Sequence, residues 1–239
     1  MAVDATLTAV PRPFPLLRGL SARVTLTAIV SVSFALRAVA SAAHPVPRYF
    51  PDEYVYTAIA RSLGGGHAPA VRGAPAHFPA LLEPLLAAPF HALFDPGLAY
   101  RLTQVENALL MSLAAVPVYL LARGLSLSAR YALACAAFAV LIPDLVYASY
   151  TLADPVAYPF ALAAVAAGVA AIARPAHRSQ IAFLVFAALA VFARVQYVVI
   201  PVAFVTAAVV VDRRRIFRTQ RLPVVLFALP IVAALAVGA

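Results

Sequence analysis

Seven apolar runs divide this chain, at roughly 22–43, 102–122, 129–148, 155–173, 180–193, 197–211 and 222–239. About 20 apolar residues wound as a helix match the hydrocarbon thickness of a bilayer, and local thinning accommodates fewer. Composition leads the same way. The chain is 64% hydrophobic and 11% charged, with a mean hydropathy of +0.94, whereas a soluble domain carries about a quarter charged residues. So apolar a chain cannot cover a water-facing surface, and lipid is its expected solvent. The sequence therefore predicts an all-α fold, a polytopic transmembrane helical bundle of about seven spans.

The segments between the runs set the organisation. Residues 1–21 are polar and Pro-interrupted and read as a cytoplasmic amino-terminal segment, with the membrane module over 22–239. The first run starts too late and is too long for a signal-peptide core, so it reads as a retained helix. A long loop, 44–97, follows it. Within that loop Asp52 to Leu63 reads as a short helix, started by Pro51 and stopped by Gly64-Gly65-Gly66. A second amphipathic stretch, Pro79 to Phe94, is apolar enough to lie at the membrane interface. Arg194 and Gln196 separate the fifth and sixth runs, which are together too long for one crossing and read as two spans. The chain stops inside an apolar run at Ala239, so an amino-terminal portion of something longer, or a truncated gene, is expected.

Charge gives orientation. Net charge is +9, and all 18 basic residues are arginine. They fall between apolar runs instead of on one soluble face, which argues against nucleic-acid binding. With the amino terminus in the cytoplasm, 12 arginines lie inside and 6 outside, and the cluster Arg213–Arg221 is the densest. The 44–97 loop is then extracytoplasmic. Abundant Ala, Val and Arg without Lys suggests a GC-rich bacterial genome, and hence a plasma membrane. Cys135, the single cysteine, excludes an internal disulfide and a cysteine zinc cage.

The acids are sorted by side. Asp52, Glu53, Glu83, Asp95, Glu106, Asp144 and Asp154 all fall in the outer loop or the outer half of a run. An ionisable group within a span is costly unless it faces a cavity, so an outward-facing polar cavity is expected. Asp52 and Glu53 open a helix, where the dipole favours ionisation. Such carboxylates take a proton from a hydroxyl, bind a divalent cation, or simply cap the helix. Asp154, before Pro155, reads equally as an N-cap or as a second acid of the cavity. Arg37 and Arg194 lie among apolar residues, where an arginine either snorkels to the interface or grips a phosphate. Arg101, with Gln104 and Glu106, is a weaker member of this group. His67 and His77 match no metal-ligand spacing, and no phosphate-binding glycine loop is present.

The run Arg37 … Phe50-Pro51-Asp52-Glu53-Tyr54-Val55-Tyr56-Thr57-Ala58 resembles the first outer loop of GT-C glycosyltransferases. These are the multi-span enzymes related to protein O-mannosyltransferases and aminoarabinose transferases. His77-Phe78-Pro79-Ala80-Leu81 with Ala88-Pro89, Arg101 through Arg123, Leu152-Ala153-Asp154-Pro155 and Ala193-Arg194-Val195-Gln196 resemble later family segments, in order, over about 30–210. The resemblance implies a sugar on a polyprenyl-phosphate donor at the outer leaflet. The acceptor is a hydroxyl on a protein, lipid or glycan. Asp52 would be the general base, with Glu53 supporting it or orienting substrate. Arg194 and Arg37 would meet the lipid phosphate, with Tyr56, Arg101, Asp154 and Gln196 as further substrate contacts. Metal use varies in the family, and Asp52 and Asp154 would hold any divalent cation. The chain departs from the family in having Asp154 where Glu is commoner, and in stopping at the seventh run. Two other readings compete: a lipid-linked sugar transporter or flippase, which should show an internal repeat and acids at mid-membrane depth, and an inactive truncated scaffold.

Overall fold

A computed structural model describes residues 20–48, 51–77, 80–141 and 145–212, together with Gln220 and Pro223. The amino-terminal segment before Leu20, Asp144, most of the Arg213–Arg221 cluster and the run at 222–239 lie outside the described residues.

The fold is nearly all helical. Helix α1 (Leu20–Ala42) is followed by α2 (Asp52–Gly64), a two-stranded antiparallel hairpin of β1 (Ala70–Val71) and β2 (Ala74–Pro75), and α3 (Leu82–Leu93). Then come α4 (Pro96–Leu113), α5 (Ala115–Gly124), α6 (Ala129–Leu141) and a 3₁₀ turn over Leu145–Ser149. Helices α7 (Ala153–Ala173) and α8 (His177–Ala193), a second 3₁₀ turn at Val195–Val198 and α9 (Val199–Asp212) complete it.

Among the described residues three helices are long and apolar enough to cross a membrane: Ser21–Ala42, Pro96–Gly124 and Ala153–Ala173. Ala129–Leu141, His177–Ala193 and Val195–Val211 are apolar but shorter. Their outer faces carry exposed large apolar side chains, among them Val39, Phe138, Tyr131 and Val210, a surface suited to lipid and not to water.

Local chemistry explains the boundaries. Pro51 sits just before α2, where the missing N–H costs nothing. Gly66, in the left-handed region at φ 77°, turns the chain after the helix ends. The second long segment begins earlier than its apolar run, because the Asp95 side chain accepts N–H bonds from Gly97 (3.0 Å) and Leu98 (3.1 Å). The same segment breaks at Ala114, three residues before Pro117, which has no N–H to give to the preceding turn. The chain also turns back at Arg194, whose extended backbone (φ −156°) ends α8. Phe183 of α8 and Phe204 of α9 then stack with centroids 4.1 Å apart, so α8 and α9 are two helices and not one broken one.

Small residues let the helices close up, since lipid provides no hydrophobic drive between them. Ala164, Ala171 and Ala187 are buried where α7 meets α8. A Cβ on Gly168 would sit 3.1 Å from the Phe183 ring. Helix α2 approaches α3 still more closely: a Cβ on Gly64 would lie 2.7 Å from the Ala88 carbonyl oxygen. Gly64 is therefore the last residue of the helix and also its contact point with α3.

Candidate active site

The end of α1, the starts of α4 and α7 and the end of α8 meet at one end of the bundle, together with α2 and α3. Arg101 donates to the carbonyls of Ser41 (3.1 Å) and His44 (3.4 Å) and to Gln104 Oε1 (3.2 Å). Gln104 Nε2 donates to the carbonyls of His44 (2.9 Å) and Ser149 (2.8 Å). The His44 carbonyl, beyond the C-terminus of α1, is served by two of these bonds, and the Ser41 carbonyl gains one beside the turn bond it accepts from the His44 N–H (2.9 Å). The backbone N–H of Leu81 donates to the Phe192 carbonyl at 3.1 Å, which fixes the start of α3 against the end of α8.

Glu53 is the keystone of this layer. It is fully buried. Its carboxylate accepts the Arg48 N–H (2.6 Å), the Tyr100 O–H (2.9 Å) and the Thr151 N–H (3.0 Å). One side chain thus ties α2 to the chain before it, to α4 and to the entry of α7. Bonds from three donors compensate the desolvation of the charge.

Asp52, next in the chain, is exposed on the first turn of α2. One turn on, Tyr56 is buried at 8% exposure. Its phenol is pushed up to about 12, first by burial, then by the charge of Glu83, with Arg194 acting in the opposite sense and Asp52 adding to the rise. The phenol thus lies in the combined field of α2, α3 and the end of α8. Arg194 itself forms an ion pair with Asp154, and both side chains are about one-third exposed. Asp52 and Arg194, far apart in the chain, thus both act on the buried Tyr56 phenol, and the ion pair joins Asp154 to Arg194.

Several expectations need correction. Glu53, expected to support Asp52 or to orient substrate, is buried on its donors and positions α2, so it does not reach substrate. Arg37 does not face a cavity. It is fully buried, with Nη2 donating to the Val140 carbonyl (2.7 Å), Nε to Ser33 (3.3 Å) and Nη1 toward the Met111 sulfur (3.5 Å). A phosphate could reach it only by unpacking α1, α4 and α6. Arg101 is spent on the carbonyls of the α1 end. Asp154 is not an N-cap, because α7 begins one residue earlier and Asp154 lies in its first turn, paired with Arg194. Gln196 is exposed on the 3₁₀ turn after Arg194. A divalent cation on Asp52 and Asp154 does not fit these residues. No group of three or more His, Cys, Asp or Glu is placed for a metal among the described residues, and Asp154 already has a cationic partner.

Sequence reasoning gave Tyr100, Thr151 and Ser149 no role. A signal existed for the first: Tyr100, Gln104, Asn107 and Met111 recur at helical spacing and form the buried face of α4. A polar stripe inside an apolar run marks an internal layer of hydrogen bonds.

Fold and site together define a class: a helical protein with membrane-length helices and a layer of acids and arginines at one end of the bundle. Comparison with protein-family models, curated proteins and solved structures finds no match.

Proposed function

We propose that the protein is a multi-pass membrane glycosyltransferase of the GT-C type. It moves a sugar from a polyprenyl-phosphate donor to an acceptor hydroxyl on a protein, lipid or glycan. In this reading the chain crosses the plasma membrane about seven times, with its amino terminus in the cytoplasm and residues 44–97 extracytoplasmic. The observation that carries the reading is that an exposed acid, Asp52, and a partly exposed arginine, Arg194, both act on the Tyr56 phenol.

The chemistry uses those groups directly. Asp52 takes the proton of the acceptor hydroxyl as its oxygen bonds to the anomeric carbon. The bond from that carbon to the phosphate oxygen breaks, and the electron pair leaves with the polyprenyl phosphate. A phosphate leaving group needs cationic stabilisation more than a proton. Arg194 provides it: a guanidinium has five N–H donors, and the bond to Asp154 engages one edge. Asp154 holds that guanidinium in place, and Glu53 holds the helix that presents Asp52. No step passes through a metal.

The test is sugar transfer from a polyprenyl-phosphate sugar pool in membranes containing the protein, wild type against Asp52→Asn. Loss of about 100-fold or more in transfer at equal protein level is expected, as for removal of a general base. Equal transfer by both would remove Asp52 from the reaction. Movement of the lipid-linked sugar between leaflets without bond making would favour a transporter.

A further inference from the structure

Glu83 is a buried acid that the transfer chemistry does not use. It lies on the first turn of α3 at 1% exposure. Both carboxyl oxygens are enclosed and have no hydrogen-bond partner among the described residues. On the facing helix α2, Thr57 Oγ1 is likewise enclosed and unpartnered. Glu53 thus differs sharply from Glu83: among the described residues one carboxylate accepts from Arg48, Tyr100 and Thr151 and the other from none.

An ionised carboxylate without donors is very costly in such a place, and the group neutralises instead. Its neighbours reinforce this. Burial pushes Glu83 well above the usual carboxylate range, and the negative charges of Glu106 on α4 and Glu53 on α2 add to the rise. Tyr56 of α2 is the other titratable group in its field. Helices α7 and α8 meet α3 through apolar Val156, Ala157 and Ala193, with Tyr197 beside them. The charged pair at that edge, Asp154 and Arg194, is joined to itself. No cation faces Glu83 among the residues that act on it.

We infer that Glu83 is a proton-operated latch between α2 and α3: with its carboxyl neutral the two helices stay closed at the contact pinned by Gly64, and when the proton leaves to solvent the junction opens. The close approach at Gly64 leaves little slack, so a charge between the helices is accommodated only by separation. Because α2 carries Asp52 and Tyr56, opening also disperses the candidate site. The latch does not depend on the transferase reading and is tested without it.

The sign follows from linkage. A carboxyl whose folded value is raised binds more protons folded than unfolded. Its stabilising contribution is complete below the ordinary carboxylate range and is lost as pH rises toward the raised value. Hydrogen exchange of the α2 backbone amides reads the junction directly. The full-length chain in nanodiscs is compared at pH 6 and pH 9 after correction for intrinsic exchange. Wild type should lose about tenfold or more protection at the higher pH, and Glu83→Gln, neutral at both, should keep its protection. Glu106→Gln, which removes a like charge, should move the wild-type transition to lower pH. Parallel loss of protection in wild type and Glu83→Gln would overturn the latch. So would a wild type indifferent to pH, or a transition unmoved by Glu106→Gln.

Discussion

The two ends of the bundle are built differently. At the end holding α2 and α3, hydrogen bonds join residues far apart in the chain: Arg101 to Ser41, Tyr100 to Glu53, Gln104 to Ser149, Thr151 to Glu53. At the opposite end the turns close on themselves, with Arg123 donating to the Leu127 carbonyl and Ser179 to the carbonyls of Arg174 and Ala176. Gln220 donating to the Ala171 carbonyl is the long-range exception there among the described residues. A turn needs only local bonds to reverse direction. The cross-linked end fixes five segments relative to one another, more than chain reversal requires, and that rigidity is what a site of fixed geometry needs.

This difference can be broken from either side. The largest effect is expected for Glu53→Ala, which strands three donors in the interior and should cost about 3–5 kcal/mol. Loss of the folded fraction on heating or in denaturant in detergent measures it. Next is Gly64→Ala, whose methyl would meet the Ala88 carbonyl oxygen and push α2 from α3. A cost of about 1–3 kcal/mol is expected, and proteolysis of the segment between α2 and α3 should speed up. The smallest effect belongs at the other end. Ser179→Ala removes only local bonds and should stay within about 0.5 kcal/mol in the same unfolding measurement. Equal costs for Glu53→Ala and Ser179→Ala would erase the distinction between the ends.

Much of the cross-linked end was legible in the sequence. The short helix at Asp52, its stop at the glycines and the reversal at Arg194 all follow from local signals: a proline at a start, a left-handed glycine, a charge between apolar runs. Asp52, Glu53, Glu83 and Asp154 come to the same end of the bundle because successive helices return the chain there. The facing of individual side chains did not. Asp52 and Glu53 are adjacent, and one helical step of about 100° separates solvent from core. Reading α2 as a stripe would have resolved them, since Glu53, Tyr56, Ile59 and Ala60 recur at helical spacing and are the buried set. Arg37 misled for another reason. An arginine late in an apolar run suggests an interface, and only the packing of α1 against α4 and α6 reveals that its partners are interior. Glu83 carried no local sign at all, because its lack of donors among the described residues is a matter of packing.

In the proposed orientation the cross-linked, acid-bearing end faces out of the cell and the opposite end faces in. Single-cysteine labelling tests it most directly. With Cys135 replaced by Ser, cysteine is placed at exposed Ala68, between α2 and the hairpin, or at exposed Ser128, before α6. Intact cells are then treated with a membrane-impermeant maleimide. Ala68→Cys is expected to be labelled at once and Ser128→Cys only after permeabilisation. Labelling of Ser128→Cys in intact cells with protection of Ala68→Cys would put the acids in the cytoplasm and contradict an extracytoplasmic transfer site.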